Sequence, residues 1–214
     1  APPRAPPARA ALAGMSAAAP APAAATIDEA VAKLGQRSRA IEDVVAFVER
    51  RAAAVEGQRA GSELVSALTR GIKNSEPAGP QVEGVREASL YALHEVLMRV
   101  DAVATAAPKL KDAVETLAER CTEHVPRHVI RATASGARPD PRLVRTAENQ
   151  IKVLSAWRRK FSCFKASDRL RTTSRTLKQL VKKATEKLED RRKPTEKRKE
   201  APPPAPVKAP ASPA

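Results

Sequence analysis

The stretch Val85–Val100 reads VREASLYALHEVLMRV and decides the fold. Its apolar residues recur three and four positions apart and also fill the positions between, so almost every face of a helix through this stretch is hydrophobic. Such a helix is stable only when other elements cover it on all sides. We expect it to be the fourth and most buried helix of the domain.

The composition around this stretch also favours helices. Aromatic residues make up 2% of the chain, and Gly is rare, whereas Ala, Leu, Val, Glu, Lys and Arg dominate the middle. We predict an all-α fold, a right-handed superhelix of about eight helices (VHS/ENTH-like architecture) with low-complexity tails.

The preceding segments show helical signals of their own. Thr26 and Glu29 have capping-box spacing, which begins a first helix that ends at Gly35. Proline and glycine place a loop at Asn74–Val82. The apolar stripes of the second and third helices are Ile41, Val44, Val45, Phe47 and Val48, and Leu64, Val65, Leu68 and Ile72.

Prolines mark the starts of later helices. Pro108 is predicted at the first position of the fifth helix, a sixth spans Pro126–Ala134, and Pro141 opens the seventh, which ends near Phe161–Phe164. Ser167 or Asp168 can cap an eighth helix. Leu170, Leu177 and Ala184 lie seven residues apart in it, which favours docking onto the domain over a coiled coil because the heptads are too few.

Four segments follow from this pattern. Residues 1–25 are an Ala/Pro-rich segment predicted to be disordered, and residues 26–165 form the helical domain. Residues 166–193 form a basic C-terminal helix. Residues 194–214 are a charged and then Pro-rich tail, also predicted to be disordered.

The positive charge is concentrated towards the carboxyl end. The net charge is +15, and residues 141–200 hold 20 Lys and Arg against 7 Asp and Glu. A concentrated positive segment indicates a polyanionic partner such as a phosphorylated peptide, RNA, DNA or anionic lipid.

The two cysteines, Cys121 and Cys163, form no disulfide framework and indicate a reducing compartment. No apolar run approaches the length of a membrane span. The acid-free, Arg-containing start has the composition of a mitochondrial transit peptide, although its prolines oppose the amphipathic helix that such peptides form. Mitochondrial localisation therefore stays an alternative.

Three stretches together resemble a known family. Arg86–Met98, with its Leu90-Tyr91 pair, is similar to the Leu-Tyr motif of the CTD-interaction domain, which binds the heptad-repeat tail of RNA polymerase II. Ala40–Phe47 looks like the second helix of that family, and Ile151–Phe161 looks like its seventh. The resemblance covers about Ile27–Phe164 and is nearest to the subgroup that regulates nuclear pre-mRNA processing.

The resemblance implies a nuclear, non-enzymatic adaptor and a set of peptide-binding residues. Tyr91 would form an apolar wall, Glu95 would accept a hydrogen bond, and Lys152 and Lys160 would meet phosphate. Tyr91 is also explained as a core residue. The sequence departs from the family pattern, because Glu95 replaces an Asp and Lys152 replaces an Arg that pairs with phosphoserine, so phosphate dependence is in question.

Four further basic residues are candidates for contacts with phosphate or RNA: Arg158, Arg159, Lys182 and Lys183. The alternative for Arg158 and Arg159 is a solvated helix end, which suits the helix dipole.

Cys121, His124 and His128 have a spacing that suggests zinc. We reject a metal site on sequence grounds, because Pro126 interrupts the register and no fourth ligand is near. No catalytic constellation or phosphate loop is found, so we expect no enzymatic activity and no cofactor.

The leading hypothesis is an adaptor that binds the phosphorylated polymerase tail and couples transcription to termination or pre-mRNA 3′-end processing. Its basic extension, residues 166–200, would hold RNA or acidic proteins. A second hypothesis is a structural or RNA-binding subunit of a ribonucleoprotein, such as an organellar ribosome. A third, a membrane-trafficking adaptor of the same architecture, is weakened by the lack of exposed aromatic residues.

Overall fold

The computed structural model describes residues 26–37, 39–76, 80–135, 137 and 140–190. The tails for which disorder is predicted, 1–25 and 194–214, lie outside this described part. All regular elements within it are helices, so the all-α prediction is confirmed. They are α1 (Ile27–Ala32), α2 (Ala40–Ala54), α3 (Gly57–Ser75), α4 (Pro80–Arg99), α5 (Asp101–Thr122), α6 (His124–Ala134), α7 (Pro141–Lys160), α8 (Ser162–Lys165) and α9 (Asp168–Asp190).

The predicted capping box begins α1. The Glu29 amide donates to Thr26 Oγ1 over 3.2 Å, and Glu29 in turn accepts a hydrogen bond from the Thr26 amide. The chain turns after this helix at Gly35, whose φ of 86° lies in the left-handed region. A Cβ at this position would also approach Val85 of α4, so the turn lies directly against that helix.

α4 is the centre of the bundle, as the sequence predicts. It contacts α2, α3, α5 and α7, and Leu90, Leu93 and Leu97 are no more than 1% exposed. α1 packs against α2 and α3, and α3 packs against α5. The early helices therefore stack on their sequence neighbours and on the next helix but one.

The structure corrects two predicted boundaries. Pro108 lies inside α5 rather than at its start, because the helix already begins at Asp101. Its missing N–H removes one backbone hydrogen bond, but the Ala-rich turn before it has a strong helix propensity. The predicted loop is shorter as well, since α3 continues to Ser75 and α4 starts at Pro80.

An aromatic cluster anchors the carboxy-terminal half. Trp157, at the end of α7, is fully buried, and its ring centroid lies 6.1 Å from that of Phe164 in α8. Phe161 meets Phe164 edge to face at 5.7 Å. The predicted proline start of α7 is confirmed, with Asp140 as its N-cap.

α9 docks onto the domain. It contacts α5, α6 and α7. Its apolar stripe consists of residues spaced seven positions apart, each of them 0% exposed: Leu170, Leu177 and Ala184. Ser167 Oγ accepts from the Leu170 amide and caps the helix. The boundary predicted after residue 165 thus runs through a shared hydrophobic core.

Candidate functional site

α4 and α7 lie side by side and run in the same direction. Three hydrogen bonds join the helices, and they occur in the same order along both. Thr146 Oγ1 donates to Glu87 Oε2 at 3.3 Å, Trp157 Nε1 donates to His94 Nδ1 at 3.0 Å, and Lys160 Nζ donates to the Met98 carbonyl at 2.9 Å. Polar side chains of both helices lie beside these contacts. We call this surface the α4/α7 face and define it by Tyr91, His94, Glu95, Lys152 and Lys160.

His94 is the residue of this face that sequence reasoning missed. The indole N–H of Trp157 donates to His94 Nδ1, so the imidazole is neutral with its proton on Nε2. Burial lowers the pKa of His94 and Lys160 lowers it further, whereas Glu95 raises it. A buried Trp needs an acceptor for its N–H. That requirement was the signal in the sequence that a polar side chain faces Trp157.

Tyr91 is half-buried and packs against the core while still reaching the face. Burial raises the pKa of its phenol, Glu87 raises it further, and a hydrogen bond with Asn149 of α7 opposes them. Both explanations drawn from the sequence, core residue and wall of a binding surface, are compatible with this position.

Glu95 is partly exposed at the surface of α4. Its side chain is 37% exposed and lies 3.7 Å from Arg99 Nη1. Arg99 Nη1 also contacts both carboxylate oxygens of Glu42 on α2, at 2.8 Å each. Glu95 is therefore a partly exposed carboxylate with a charged neighbour, and it can still accept a hydrogen bond.

The two predicted phosphate-binding lysines differ in their surroundings. Lys160 donates to the Met98 carbonyl at the end of α4 and lies 5.6 Å from the Phe161 ring centroid. One of its three N–H donors thus satisfies a carbonyl at the end of α4, and two donors remain for a ligand. Lys152 lies one helical turn after Asn149, is exposed, and makes no ion pair with any described residue.

The remaining basic candidates lie on other surfaces. Arg159 is exposed near the end of α7, whereas Arg158 is half-buried and its Nε has no hydrogen-bond partner in the described chain. Lys182 and Lys183 are exposed on α9, and Lys182 lies 3.9 Å from Glu186. Within the described ranges, no hydrogen bond or ion pair joins Lys182 or Lys183 to the α4/α7 face.

The suggested Cys121, His124 and His128 set does not assemble. Cys121 is fully buried, and burial raises the pKa of its thiol to about 12, whereas the two histidines meet Glu83 of α4. Pro126 lies in the first turn of α6, where proline is tolerated, so the helical register is intact. An interrupted helix at Pro126, one of the two reasons for rejecting a metal site from the sequence, is therefore not observed.

A cavity of ≈ 980 Å³ lies between α1, α3 and the start of α4. None of the predicted site residues lines it. Its two charged lining residues, Asp28 and Arg70, pair with each other at 2.8 Å. This cavity therefore offers no unpaired charge to a phosphorylated ligand.

Comparison with known proteins gives this chain no relatives: no protein-family model, no curated protein and no solved structure matches it. Within the described residues, no helix has both the length and the hydrophobicity needed to cross a lipid bilayer.

Proposed function

We propose that this chain is a non-enzymatic nuclear adaptor that binds an extended phosphorylated peptide on the α4/α7 face. The observation that carries the proposal is that His94 and Glu95 of α4 lie near Lys160 of α7. Tyr91 of α4 meets Asn149 of α7 in the same way, and Lys152 is exposed three residues after Asn149. The resemblance of the α4 and α7 sequences to the CTD-interaction domain supports the choice of ligand class. The peptide is the heptad-repeat tail of RNA polymerase II.

The chemistry of the face matches such a ligand. The Tyr91 ring offers an apolar surface, and the Nε2–H of His94 and the carboxylate of Glu95 offer one donor and one acceptor to a peptide backbone or hydroxyl. Lys152 is free to meet a phosphoserine as a point charge. The surplus charge of α9 would hold RNA or a further stretch of the acidic tail nearby.

An affinity titration tests the proposal. A fluorescein-labelled peptide of two heptad repeats, with and without phosphoserine, is titrated with the full chain and followed by fluorescence anisotropy. Loss of a charge-assisted phosphate contact in Lys152→Glu should weaken phosphopeptide binding by about ten- to hundredfold, equivalent to about 1.5–3 kcal/mol. Lys152→Arg should keep or raise affinity, because a guanidinium grips phosphate through two hydrogen bonds.

Two further variants assign the roles. Glu95→Gln should weaken phosphorylated and unmodified peptides alike, since its partner is not phosphate. Lys73→Glu is the matched control, because Lys73 is an equally exposed lysine on α3, and it should bind as wild type does. The proposal fails if wild type binds neither peptide at high micromolar concentration, or if Lys152→Glu behaves like Lys73→Glu.

A second candidate function has its own observation. Residues 168–187 of α9 carry seven Lys and Arg against two Asp and Glu, and most of these basic side chains are exposed. This surface suits the phosphate backbone of RNA in a ribonucleoprotein. An RNA-binding subunit would bind a single-stranded oligonucleotide with a steep salt dependence, and Lys182→Glu with Lys183→Glu would flatten that dependence while Lys152→Glu would change it less.

A further inference from the structure

One cluster of metal-ligating side chains lies away from the α4/α7 face. His124 and His128 are four residues apart on α6, so both imidazoles project from the same side of the helix. Glu83, in the first turn of α4, reaches them from the opposite helix. The ligating atoms of all three residues lie within 4.8 Å of one another.

The Nε2 atoms of the two histidines both face the same carboxylate oxygen of Glu83. His124 Nε2 lies 2.5 Å from Glu83 Oε1, and His128 Nε2 lies 3.6 Å from it. His124 Nε2 is buried and is paired with the Glu83 carboxylate. Two imidazole nitrogens and one carboxylate oxygen therefore face one another, and these are ligand types that a divalent transition metal prefers.

The spacing fits a first-row divalent metal. Tetrahedral Zn²⁺ with bonds of about 2.0–2.2 Å separates its ligand atoms by about 3.3–3.6 Å. The Glu83–His128 separation is already in that range, and Glu83 is partly exposed, so rotation of its carboxylate would widen the shorter contact to His124. Two His and one Glu form a common three-ligand set for Zn²⁺, with the fourth position left to water.

We propose that Glu83, His124 and His128 form a binding site for one divalent transition-metal ion, with Zn²⁺ as the preferred occupant. Imidazole and carboxylate ligands favour Zn²⁺, Ni²⁺ and Cu²⁺ over the hard cations Mg²⁺ and Ca²⁺. The site joins α4, the centre of the bundle, to α6, so metal binding clamps these helices together. It does not depend on peptide binding at the α4/α7 face.

The surroundings leave an approach to the site. Glu83 and His124 line a cavity of ≈ 340 Å³ that also contains Arg86, Glu87, Asp140 and Gln150 among its walls. Arg86 is a positive charge in the wall of this cavity, and its guanidinium pairs with Glu76 at 3.2 Å. The Gln150 Oε1 atom in the wall of the same cavity is buried and has no partner in the described residues, so the cavity contains a free hydrogen-bond acceptor.

The third histidine of the chain supplies a matched control. The chain contains three histidines, and His94 binds Trp157 rather than this cluster. Untagged full-length protein, stripped with chelator, is titrated with Zn²⁺ in an isothermal calorimeter. Wild type and His94→Ala should bind one equivalent with equal affinity, whereas His128→Ala and Glu83→Gln should bind at least about tenfold more weakly, the loss that removal of even an outer-shell partner causes.

Thermal melts separate loss of the site from loss of the fold. The His128 side chain is 43% exposed, so His128→Ala should melt close to stripped wild type, and only wild type and His94→Ala should gain stability from Zn²⁺. Absence of micromolar Zn²⁺ binding by wild type would overturn the proposal. So would equal Zn²⁺ affinity of wild type and His128→Ala, because the bound ion would then lie elsewhere.

Discussion

The two halves of the bundle use charge differently. The amino-terminal half, residues 26–122, holds 13 Lys and Arg against 15 Asp and Glu, whereas residues 141–187 hold 14 against 3. Ion pairs join separate helices in the first half. They are Arg51–Glu63, Arg70–Asp28 and Arg99–Glu42, each with a shortest N···O distance of 2.8 Å.

In the second half, the described residues contain no ion pair between α7 and α8 or α9. Those helices are held by Trp157, Phe164 and the leucine stripe of α9, and the pairs within α9 join neighbours on one helix face. Two basic side chains add contacts to other helices: Arg169 lies 3.6 Å from Glu119 of α5, and Lys160 donates to the Met98 carbonyl of α4. Most of the other basic side chains of α7 and α9 are exposed, and they supply the surplus positive charge of this half.

The most severe test of this comparison is deletion of α9. Removal of residues 166–214 uncovers the surfaces of α5, α6 and α7 that bury Leu170 and Leu177, and each lost leucine contact costs about 2–5 kcal/mol. We expect the truncated chain to lose at least about 5 kcal/mol and to unfold without a cooperative transition. Urea denaturation followed by circular dichroism measures this. Cooperative unfolding of residues 26–165 would show that α9 is an extension after all.

The aromatic anchor gives the next largest effect. Trp157→Ala should destabilise the protein by about 3–5 kcal/mol, because it empties a fully buried site. Trp157→Phe retains most of the apolar volume but removes the hydrogen bond to His94, so it should cost less. Free energies of unfolding from urea titrations rank the two variants. Equal losses would mean that the hydrogen bond, not the ring volume, dominates.

Two glycines sharpen the comparison within the first half. A Cβ on Gly57 would lie 2.0 Å from the Ala102 carbonyl oxygen, whereas a Cβ on Gly84 meets nothing within 4 Å. Gly57→Ala should therefore destabilise by about 1–3 kcal/mol through overpacking. Gly84→Ala should stabilise by about 0.5–1 kcal/mol through helix propensity. Thermal melts of the pair check the signs, and a stable Gly57→Ala would place α3 farther from α5.

The smallest expected effect concerns pH. The pKa of His94 is lowered in the folded protein, mainly by burial, so below about pH 6.5 the unfolded chain binds a proton that the folded chain does not. Stability from this residue is complete above that pH and falls as the pH drops towards the folded pKa. His94→Gln should reduce the loss of stability between pH 7 and 5.5 measured by urea denaturation. His124, whose pKa is also lowered, should leave a residual slope.

Local and periodic signals made the fold predictable. The apolar stretch of α4, the capping box at Thr26 and the proline start of α7 each depend on neighbouring residues, and the sequence contains all of them. Pro108 was misplaced because the propensity of the preceding alanines outweighs the cost of one interior proline. Helix patterns therefore predicted the existence of each helix more reliably than the residue at which it begins.

The candidate sites depend on pairs that are distant in sequence. His94 meets Trp157 across 63 positions, and Glu83 meets His124 across the whole of α5. No local pattern specifies which acceptor a buried indole finds or which carboxylate faces a histidine pair. Arg99 lies four residues after Glu95 on α4, so that pairing is a local one that the sequence does contain. Its contact with Glu42 of α2, 57 positions away, is not specified by any local pattern.

Chemical-shift mapping tests the central claim most directly. Full-length ¹⁵N-labelled protein is titrated with a two-repeat heptad peptide bearing phosphoserine, and backbone amide shifts are followed to saturation. The account predicts that the largest perturbations lie on α4 and α7, around Tyr91, His94 and Lys152, with little change on α1–α3. Perturbations confined to α9, or no shifts at high micromolar peptide, would contradict it and leave the α4/α7 face without a ligand.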